Sequence, residues 1–522
     1  MRVLLVEPAY RRVALKKTLA PGDGLEPERK VNGTDDTLWY PPLGLMKLAR
    51  FHKNRGDEVH FVSGIDKSVV PDGETFSPER LWDRVYVTTL FTFHFDKVVE
   101  TINFYKEAVG GTTGKIFVGG VMASMMPKEV FEATGIYPVF GSLTSPRQIG
   151  LEGCENIDLL PPDYSILDKS VYGINDTYYW YASRGCVLKC AWCAVPKIEP
   201  VYEQYYEITH VIKELRKEYG EKRHLKLMDN NIMASDDLSK TVRDLLELGY
   251  GRGNKEGRTI DFNQGLDATY FTDEKLQIFS QLNISPVRIA FDRAAELPNY
   301  QRAVELAYKH GFTDFSNYML YNWKDTPEDL FRRIHINIQL NEKMRQDPKR
   351  IGQVYCYPMR YAPIDEKRGV GANKQRDFME PLPERPIDWL REARWTKRFI
   401  RNVEIMKGVA HGAISPTPTL ARRTVGKTYE EFLANLYMPE ELLRNRNKHE
   451  KTLHDNDQTR APGTGHVEDF REFVLGLLKN QNARFYEFHN AVTPNSKKVA
   501  REAAEKASDS ELKHWLGLYA IK

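Results

Sequence analysis

Cysteine is scarce in this chain, and neither sign of charge is in excess. The 522 residues include 5 cysteines, and 75 basic against 72 acidic side chains give a formal net charge of +3. So few cysteines exclude a disulfide scaffold, and grouped cysteines in a reducing compartment more often bind metal or carry redox chemistry. The nearly balanced charge names no partner, although a local charged patch still could.

Long apolar runs are also missing. No run approaches the roughly 18 residues that a membrane-spanning helix needs, and the start of the chain has too short an apolar part for a secretory signal. We therefore expect a cytoplasmic protein with no membrane partner. The hydrophobic fraction of 41% is enough for cores of ordinary size, which excludes an intrinsically disordered chain.

The first 155 residues alternate short apolar strands with amphipathic helices. Strands are predicted at residues 3–6, 59–62, 85–90 and 115–118, and helices at residues 43–53 and 96–109. This alternation predicts a parallel, Rossmann-like sheet with right-handed crossovers. Ligands of such sheets bind at the carboxyl ends of the strands, so a predicted turn at Gly119 and Gly120 is a candidate ligand edge. The sequence has no Gly-x-Gly-x-x-Gly fingerprint.

A second alternating segment, residues 176–370, follows an irregular linker at residues 156–175 that contains a Pro-Pro pair. Its predicted strands are residues 177–182, 224–228, 259–263, 287–291, 315–320 and 353–358, and its predicted helices are residues 207–219, 236–248, 273–282, 300–310 and 327–341. Six strand–helix units favour a partial (β/α)6 TIM-like barrel. The active site of such a barrel lies at the C-terminal ends of its strands.

Helical periodicity dominates residues 371–522. Helices are predicted at residues 387–406, 429–436 and 467–478, and a mobile polar loop at residues 444–465. The predicted fold class is therefore α/β, with an N-terminal sheet domain (1–155), a linker (156–175), a central barrel (176–370) and a mostly helical C-terminal domain (371–522). At about 150 residues per domain, the length agrees with such a division.

Three of the five cysteines follow the first strand of the predicted barrel. Cys186, Cys190 and Cys193 have the spacing Cys-x3-Cys-x2-Cys. Three thiolates on one loop can bind three irons of a four-iron cluster and leave the fourth iron open. A structural zinc site would instead need four ligands, and the nearest histidines, His210 and His224, are not paired at ligand spacing. Zinc and simple packing of the thiols are the alternatives.

At these residues the chain resembles the radical S-adenosylmethionine (radical SAM) superfamily, and the resemblance extends from Tyr178 to about Pro363. The aromatic residue before the third cysteine, Trp192, is a specific mark of this family. The preceding Arg184 and Gly185 are similar to the branch whose members carry an N-terminal cobalamin-binding-type domain, here residues 1–155.

The resemblance implies a radical SAM enzyme with a [4Fe-4S] cluster as cofactor, ligated by the three cysteines. S-adenosyl-L-methionine would chelate the open iron. One electron from an external donor such as flavodoxin or ferredoxin would cleave it to methionine and a 5′-deoxyadenosyl radical, which abstracts hydrogen from an unidentified substrate.

Polar residues at the later strand ends are candidates for holding S-adenosylmethionine. Asp229 and Asn230 end the second strand, where the resemblance implies a motif that holds the methionine amino group, and Gln264 and Asp292 end the third and fourth strands. Such side chains accept hydrogen bonds from ammonium and ribose hydroxyls, and Arg293 could pair with the carboxylate. The alternative for these strand-end positions is the N-cap of the next helix.

The two other cysteines have structural interpretations. Cys154 lies in the irregular stretch that begins at about Gly150, just before the linker, and Cys356 lies on the last predicted strand, where a small buried hydrophobe is the usual role. Cys356 could also point into the barrel and act as a radical or proton relay. No cysteine follows Cys356, so the sequence predicts a single cluster.

A cobalamin-dependent methyltransferase is the first alternative function. The family's Asp-x-His-x-x-Gly motif is absent, because residues 6–10 and 62–66 contain no histidine. Cobalamin could bind without a protein ligand, with its nucleotide tail against the turns at residues 88–90 and 119–120. A degenerate domain that serves only as a scaffold is the other interpretation.

A nucleic-acid-binding protein with a structural cluster is the second alternative. Residues 391–427 hold nine basic residues against Glu392 and Glu404, and Trp395 and Phe399 lie between them. The nine are Arg391, Arg394, Lys397, Arg398, Arg401, Lys407, Arg422, Arg423 and Lys427. Positions 391, 394, 398 and 401 are predicted on one helical face, which could bind phosphates while the aromatic rings stack. The competing interpretation is a solvated face that docks on acidic barrel loops.

Overall fold

The structure is a computed structural model that describes residues 1–10, 40–70, 81–365, 379, 381–408, 413–451, 461 and 463–520. The chain divides into two compact units. The first contains Met1–Leu266, Gln277–Ser285 and Ala362–Arg376, and the second contains Asp267–Leu276, Pro286–Tyr361 and Asp377–Lys522. The domain boundaries given above stay a prediction.

The first unit begins with a parallel four-stranded sheet, as the sequence predicts. Its strands are β1 (Arg2–Glu7), β2 (Glu58–Ser63), β3 (Arg84–Thr89) and β4 (Ile116–Gly120), in the order β2-β1-β3-β4. The helices between and after them are α1 (Leu43–Asn54), α2 (Phe95–Phe104), α3 (Val121–Met125) and α4 (Pro127–Thr134). Successive residues of β1 enter two different cores: Leu4 packs with Val98, and Leu5 packs with Leu45. Both faces of the sheet are therefore covered, which is typical of parallel sheets.

The turn predicted at Gly119 and Gly120 is wrong. Both glycines belong to β4, where they pair with Thr88 and Thr89. Gly120 has φ +106°, and a Cβ there would lie 2.2 Å from the carbonyl oxygen of Thr89. The pair of glycines thus allows close strand pairing where α3 begins at the next residue, which the sequence pattern alone does not distinguish from a turn.

A second parallel sheet of the first unit carries the cysteine loop. Its strands are β5 (Thr177–Trp180), β6 (His224–Leu227) and β7 (Thr259–Phe262), in that order. Between them lie α5 (Val195–Ile198), α6 (Thr209–Tyr219) and α7 (Leu238–Glu247). Because side chains alternate along a strand, one face of the sheet carries Leu225 and Ile260, and the other carries Tyr179, Lys226 and Asp261 at neighbouring register positions.

The second unit contains the last three predicted strands. They are β8 (Val287–Ala290), β9 (Asp314–Tyr321) and β10 (Gln353–Arg360), parallel and in the order β10-β9-β8. The associated helices are α9 (Leu297–Lys309) and α10 (Pro327–Arg345). Helix α8 (Asp273–Phe279) precedes β8, and its residues from Gln277 onward belong to the first unit. All six strands predicted for the barrel are present in two three-stranded parallel sheets. Their closure into one partial barrel stays a prediction.

Cys356 is a buried residue of β10, which confirms its structural interpretation. Its thiol is hydrogen bonded to Asn337 of α10, and burial raises its pKa to about 12. The residue therefore belongs to the strand face that packs on a helix, and the alternative relay role has no support. Cys154, in contrast, is exposed just before the predicted linker.

The C-terminal part of the second unit is helical, as predicted. Its helices are α11 (Lys397–Gly408), α12 (Pro418–Val425), α13 (Tyr429–Tyr437), α14 (Glu440–Arg444), α15 (Arg446–His449), α16 (His466–Asn480), α17 (Ala483–Val492), α18 (Lys497–Glu505) and α19 (Ser510–Ala520). Helix α15 lies within the predicted loop 444–465, of which residues 452–460 and 462 are outside the described residues. No helix in the described part of the chain has both the length and the apolar character needed to cross a bilayer.

The predicted basic face at residues 391–401 is wrong, because α11 begins only at Lys397. Arg391 and Arg394 therefore lie outside the helix. Other basic residues of this segment form ion pairs within the second unit. These pairs are Arg401 with Glu440 at 2.9 Å, Arg422 with Glu342 at 2.8 Å and Arg423 with Glu450 at 2.7 Å. The pairing favours a docking role for these residues, and nucleic-acid binding stays a prediction.

Candidate metal centre

The three clustered cysteines lie on the loop that follows β5, at the carboxyl end of a parallel strand. Cys186, Cys190 and Cys193 are each partly exposed. The N–H of Cys193 donates to the carbonyl oxygen of Cys190 across 3.1 Å, which closes a tight turn. In the described residues no three or more His, Cys, Asp or Glu side chains are arranged to hold a single metal ion. The requirement of a cluster is different, because each thiolate binds its own iron.

The sulfur of Cys186 accepts hydrogen bonds from two N–H groups. The backbone N–H of Leu188 lies 3.4 Å from Sγ, and Nδ2 of Asn231 lies 3.7 Å from it. Hydrogen bonds to an ionised acceptor are the stronger ones, so the same two donors would help to hold the sulfur of Cys186 when it ligates metal. The donor set of the loop therefore fits an iron–sulfur cluster.

The start of the loop is fixed by the chain segment that follows it. Gly185 has φ +72°, and a Cβ there would lie 2.1 Å from the carbonyl oxygen of Val201. Its N–H donates to Oε2 of Glu199 across 2.8 Å. The backbones of Arg184 and Glu203 exchange two hydrogen bonds of 2.9 Å. Only glycine permits this close approach directly before Cys186.

Asp229, which follows β6, accepts hydrogen bonds from the residues where the cysteine loop begins. Its carboxylate is 1% exposed. It accepts hydrogen bonds from the hydroxyl of Ser183 at 2.6 Å and from the N–H of Ala182 at 3.1 Å. Burial raises the pKa of Asp229 to about 6, against the opposing effect of these hydrogen bonds. The carboxylate of Asp229 is therefore hydrogen bonded to Ala182 and Ser183 at the start of the loop. Its direct contact with S-adenosylmethionine stays a prediction.

The structure brings Asn230 to the cysteine loop but leaves Gln264 exposed at the neighbouring strand end. Nδ2 of Asn230 donates to Oε2 of Glu199 across 2.9 Å, the same oxygen that accepts from Gly185. Gln264 follows β7 in the same sheet, two residues after its last residue. The predicted role of both residues in holding S-adenosylmethionine is compatible with these positions and stays a prediction.

Asp292 belongs to the second unit, where it follows β8. Its carboxylate accepts from the N–H of Leu320 across 2.9 Å, and burial raises its pKa to about 6. The next residue, Arg293, pairs with Glu296 at 2.6 Å. The local pairing of Arg293 at the start of a helical turn agrees with the helix-start alternative, whereas the cosubstrate role of Asp292 stays a prediction.

Sequence reasoning missed a row of buried charges behind the loop. Lys47 of α1 lies 2.9 Å from Asp158, Asp158 lies 3.3 Å from Arg184, and Arg184 lies 2.7 Å from Glu199. No motif contains Lys47, Asp158 and Glu199 together, because they come from three distant segments. The one available signal was a lysine inside the apolar run Leu45–Ala49 of a predicted helix.

A group of aromatic residues at the carboxyl end of the first sheet was also missed. His94 lies 5.3 Å from Tyr10 and 4.8 Å from Phe93, measured between ring centroids, and Phe93 stacks on Phe91 at 4.8 Å. The hydroxyl of Tyr10 accepts from the N–H of Leu90, just after β3. This edge is where a parallel sheet binds ligands. The motif sought in the sequence places histidine after other strands, so His94 gave no signal.

No family model and no curated protein matches this chain. Among solved structures it is similar to TsrM, a radical S-adenosylmethionine methyltransferase from Kitasatospora setae with cobalamin and a [4Fe-4S] cluster bound, at 13% identity over 92% of this chain and 99% of that chain, with TM-score 0.46. It is also similar to OxsB, a cobalamin-dependent S-adenosylmethionine radical enzyme, at 12% identity over 100% of this chain and 84% of that chain, with TM-score 0.43.

A third similar structure is HydG from Carboxydothermus hydrogenoformans, a maturase of the FeFe-hydrogenase. The identity is 14% over 66% of this chain and 76% of that chain, with TM-score 0.29. TsrM and OxsB are radical SAM enzymes, the class that the cysteine loop of this chain resembles.

Proposed function

We propose that this protein is a radical SAM enzyme in which Cys186, Cys190 and Cys193 hold a [4Fe-4S] cluster. One observation carries the proposal: three partly exposed thiols at Cys-x3-Cys-x2-Cys spacing lie at the carboxyl end of a parallel strand, and N–H groups donate to the first sulfur. When bound, the cluster would supply the open iron and the electron that cleave S-adenosylmethionine to methionine and a 5′-deoxyadenosyl radical, which abstracts hydrogen from a substrate.

The residues around the loop prepare it for ligation. Gly185 lets the chain pass close to Val201, and Asp229 ties the preceding residues to the end of β6. The N–H of Leu188 and the amide of Asn231 donate hydrogen bonds to Sγ of Cys186. Each of these contacts fixes backbone or charge next to a ligand before any metal arrives.

The cosubstrate would be held by polar side chains at the strand ends. We assign Asn230 and Gln264 to direct contact, since amide oxygens accept from ammonium and ribose hydroxyls, and the same role predicted for Asp292 rests on the sequence alone. For Asp229, whose two oxygens both accept from the N–H of Ala182, a role through the loop that it stabilises competes with the direct contact predicted from the sequence. A flavodoxin or ferredoxin is the expected electron donor, and the substrate is unidentified.

Anaerobic reconstitution with iron and sulfide tests the proposal. Wild-type protein should hold about four irons per chain and, after reduction, release 5′-deoxyadenosine from S-adenosylmethionine. Cys190→Ala should lose most of the iron and all of the cleavage. The matched control is Cys154→Ala, which removes an exposed cysteine outside the loop and should behave as wild type. Full iron retention by Cys190→Ala would contradict the assignment.

Cobalamin-dependent methyl transfer is a second candidate, favoured by the aromatic group at the carboxyl end of the first sheet. His94 and the rings of Tyr10, Phe91 and Phe93 offer a nitrogen donor and flat apolar surfaces to a large planar cofactor. Titration with hydroxocobalamin, followed by its absorption spectrum, is the test. His94→Ala should weaken binding, and His60→Ala, a change at an exposed histidine of β2, should not. Equal binding by both variants would remove this support.

A further inference from the structure

Four side chains of alternating charge, one of them buried and three mostly buried, run from helix α1 to the start of the cysteine loop. We call Lys47, Asp158, Arg184 and Glu199 the ion-pair chain. Each neighbouring pair is in contact: Lys47 Nζ with Asp158 Oδ1 at 2.9 Å, Asp158 Oδ2 with Arg184 at 3.3 Å, and Arg184 with Glu199 Oε1 at 2.7 Å. The four residues come from α1, the linker, the start of the cysteine loop and the segment after α5. The ion-pair chain therefore connects segments that are far apart in sequence.

The ion-pair chain is mostly shielded from water. The side chain of Lys47 is 2% exposed, and those of Asp158, Arg184 and Glu199 are 18%, 14% and 18% exposed. Its ammonium also donates to the hydroxyl of Tyr181. Lys47 and Arg184 lie 4.3 and 4.2 Å from the centroid of the Tyr181 ring, so both cations contact the same aromatic ring. Two cations and two anions balance, which is what burial of charge requires.

The pKa values show how strongly the groups depend on one another. Burial lowers the pKa of Lys47 to about 8, although Asp158 opposes this shift. Burial alone would raise the pKa of Asp158, but the neighbouring Lys47 and Arg184 hold it below its usual value. A buried chain of ions is seldom more stable than apolar residues of the same volume, so stability alone does not account for the arrangement.

The ion-pair chain ends on the loop that carries the first cysteine. Oε1 of Glu199 pairs with Arg184, and Oε2 accepts from the N–H of Gly185 and from Nδ2 of Asn230. Arg184 and Gly185 are the two residues directly before Cys186. Any movement of Glu199 or Arg184 therefore moves the backbone from which the first thiol projects.

We propose that Lys47, Asp158, Arg184 and Glu199 are positioning residues that hold the start of the cysteine loop in its cluster-binding conformation and tune the cluster by their charge. The tuning part of this inference rests on the proposed function, because it requires a bound cluster. The positioning itself is a property of the apoprotein, because every contact named above is made by protein groups. Helix α1, which follows strand β1, thereby contributes Lys47 to the surroundings of the metal centre.

The first test measures loop order without metal. The rate of Cys186 alkylation in the apoprotein, followed by mass spectrometry of the peptide, should rise several-fold in Glu199→Ala. Glu203→Ala is the matched control, because Glu203 is exposed and contacts Arg184 through backbone only; its rate should stay at the wild-type value. The double variant Lys47→Gln/Asp158→Asn removes one cation and one anion together and should also raise the rate, which covers the case that Glu199→Ala does not fold.

The second test separates charge from packing in the reconstituted protein. Reduction of a cluster adds negative charge, and its potential depends on nearby charge. Glu199→Gln should therefore shift the midpoint potential to more positive values, and Lys47→Gln should shift it to more negative values, whereas Glu203→Gln should change it little. Loosened packing alone would not produce shifts of opposite sign.

The outcomes distinguish this inference from the proposed function. The inference would be overturned if Glu199→Ala and the double variant are alkylated at the wild-type rate and the charge variants keep the wild-type potential. An iron content of about four per chain in these proteins would show that the cluster itself is still bound. A wild-type protein that binds no cluster would overturn the proposed function, and the tuning with it. In that case the apoprotein alkylation rates still decide whether the ion-pair chain orders the loop.

Discussion

Nδ2 of Asn231 donates a hydrogen bond to Sγ of Cys186 across 3.7 Å. The two residues follow different strands, β6 and β5, which pair in parallel. The carbonyl oxygen of Asn231 accepts from the hydroxyl of Tyr202, so the donor is held by the segment after the loop. One strand end thus supplies a hydrogen bond to a ligand on the neighbouring strand end.

Replacement of this donor should change the midpoint potential of the cluster and leave the amount of bound iron nearly unchanged. Asn231→Leu removes the side-chain N–H and leaves the three thiols, so we expect iron content near the wild-type value and a more negative midpoint potential, because hydrogen bonds to sulfur stabilise the reduced state. Spectroelectrochemical titration measures this shift. Asn103→Leu, at an exposed position of α2, is the control. A potential that is the same in both variants would argue against the bond.

Gly185→Ala should disrupt the loop. A Cβ would lie 2.1 Å from the carbonyl oxygen of Val201 at φ +72°, and the left-handed backbone alone costs about 1–2 kcal/mol for a residue with a side chain. We expect a lower free energy of unfolding in urea and loss of most iron on reconstitution. Gly44→Ala at the start of α1 is the control, since no atom of the described residues lies within 4 Å of the added Cβ. Iron retention by Gly185→Ala would show that the close approach is dispensable.

The buried carboxylate of Asp229 predicts a specific pH dependence of apoprotein stability. Its pKa is about 6 in the folded protein against 3.8 as the ordinary value, so the folded state binds the extra proton. The stability contribution of Asp229 is therefore full below about pH 4 and is lost as the pH rises through about 6. The shift corresponds to about 3 kcal/mol.

Comparison of wild type with Asp229→Asn isolates this group from other buried acids. The difference in the free energy of unfolding between the two proteins, measured by urea titration from pH 4 to pH 7.5, should change in favour of the variant as the pH rises and then level off. Glu203→Gln, an exposed change in the same unit, should show no such trend. A difference that is flat across this range would mean that Asp229 is ionised throughout.

The strands and the cysteine loop could be predicted because each depends on local sequence. A short buried apolar run, such as Leu4 to Val6 in β1, fixes a parallel strand wherever it pairs, and the three cysteines show their spacing directly. The ion-pair chain could not be predicted, since Lys47 and Glu199 come together only through the tertiary fold. Side-chain burial without local periodicity is invisible to pattern analysis.

The helix predicted at residues 387–406 illustrates the opposite error. Trp389 and Trp395 are buried, which gave the segment an apolar periodicity. The structure buries them without a helix: the backbone N–H of Trp389 donates to the side chain of Gln481, and the indole N–H of Trp395 donates to Asp325. Long-range partners satisfy these groups, so the periodic pattern did not need helical hydrogen bonds.

Arg333 of α10 is the residue of the second unit whose loss we expect to matter most for Asp292. Its guanidinium is fully buried, pairs with Asp325 at 2.7 Å and donates to the carbonyl oxygens of Asp292 and Leu320 at 2.9 and 2.8 Å. Arg333→Met would leave Asp325 as a buried unpaired acid, which costs about 3–5 kcal/mol.

The neighbouring Arg332→Met is a matched control for this substitution, since Arg332 is 62% exposed and pairs only with Glu328 one turn away. Urea unfolding should therefore separate the two variants clearly, and Arg333→Lys should not restore stability, because a lysine lacks the planar fork that reaches several acceptors. If Asp292 contacts the cosubstrate, the dissociation constant for S-adenosylmethionine should also rise in Arg333→Lys and not in Arg332→Met. Equal stability of the Arg333→Met and Arg332→Met proteins would show that the buried guanidinium of Arg333 does not stabilise these strand ends. The position of Asp292 would then depend on other contacts.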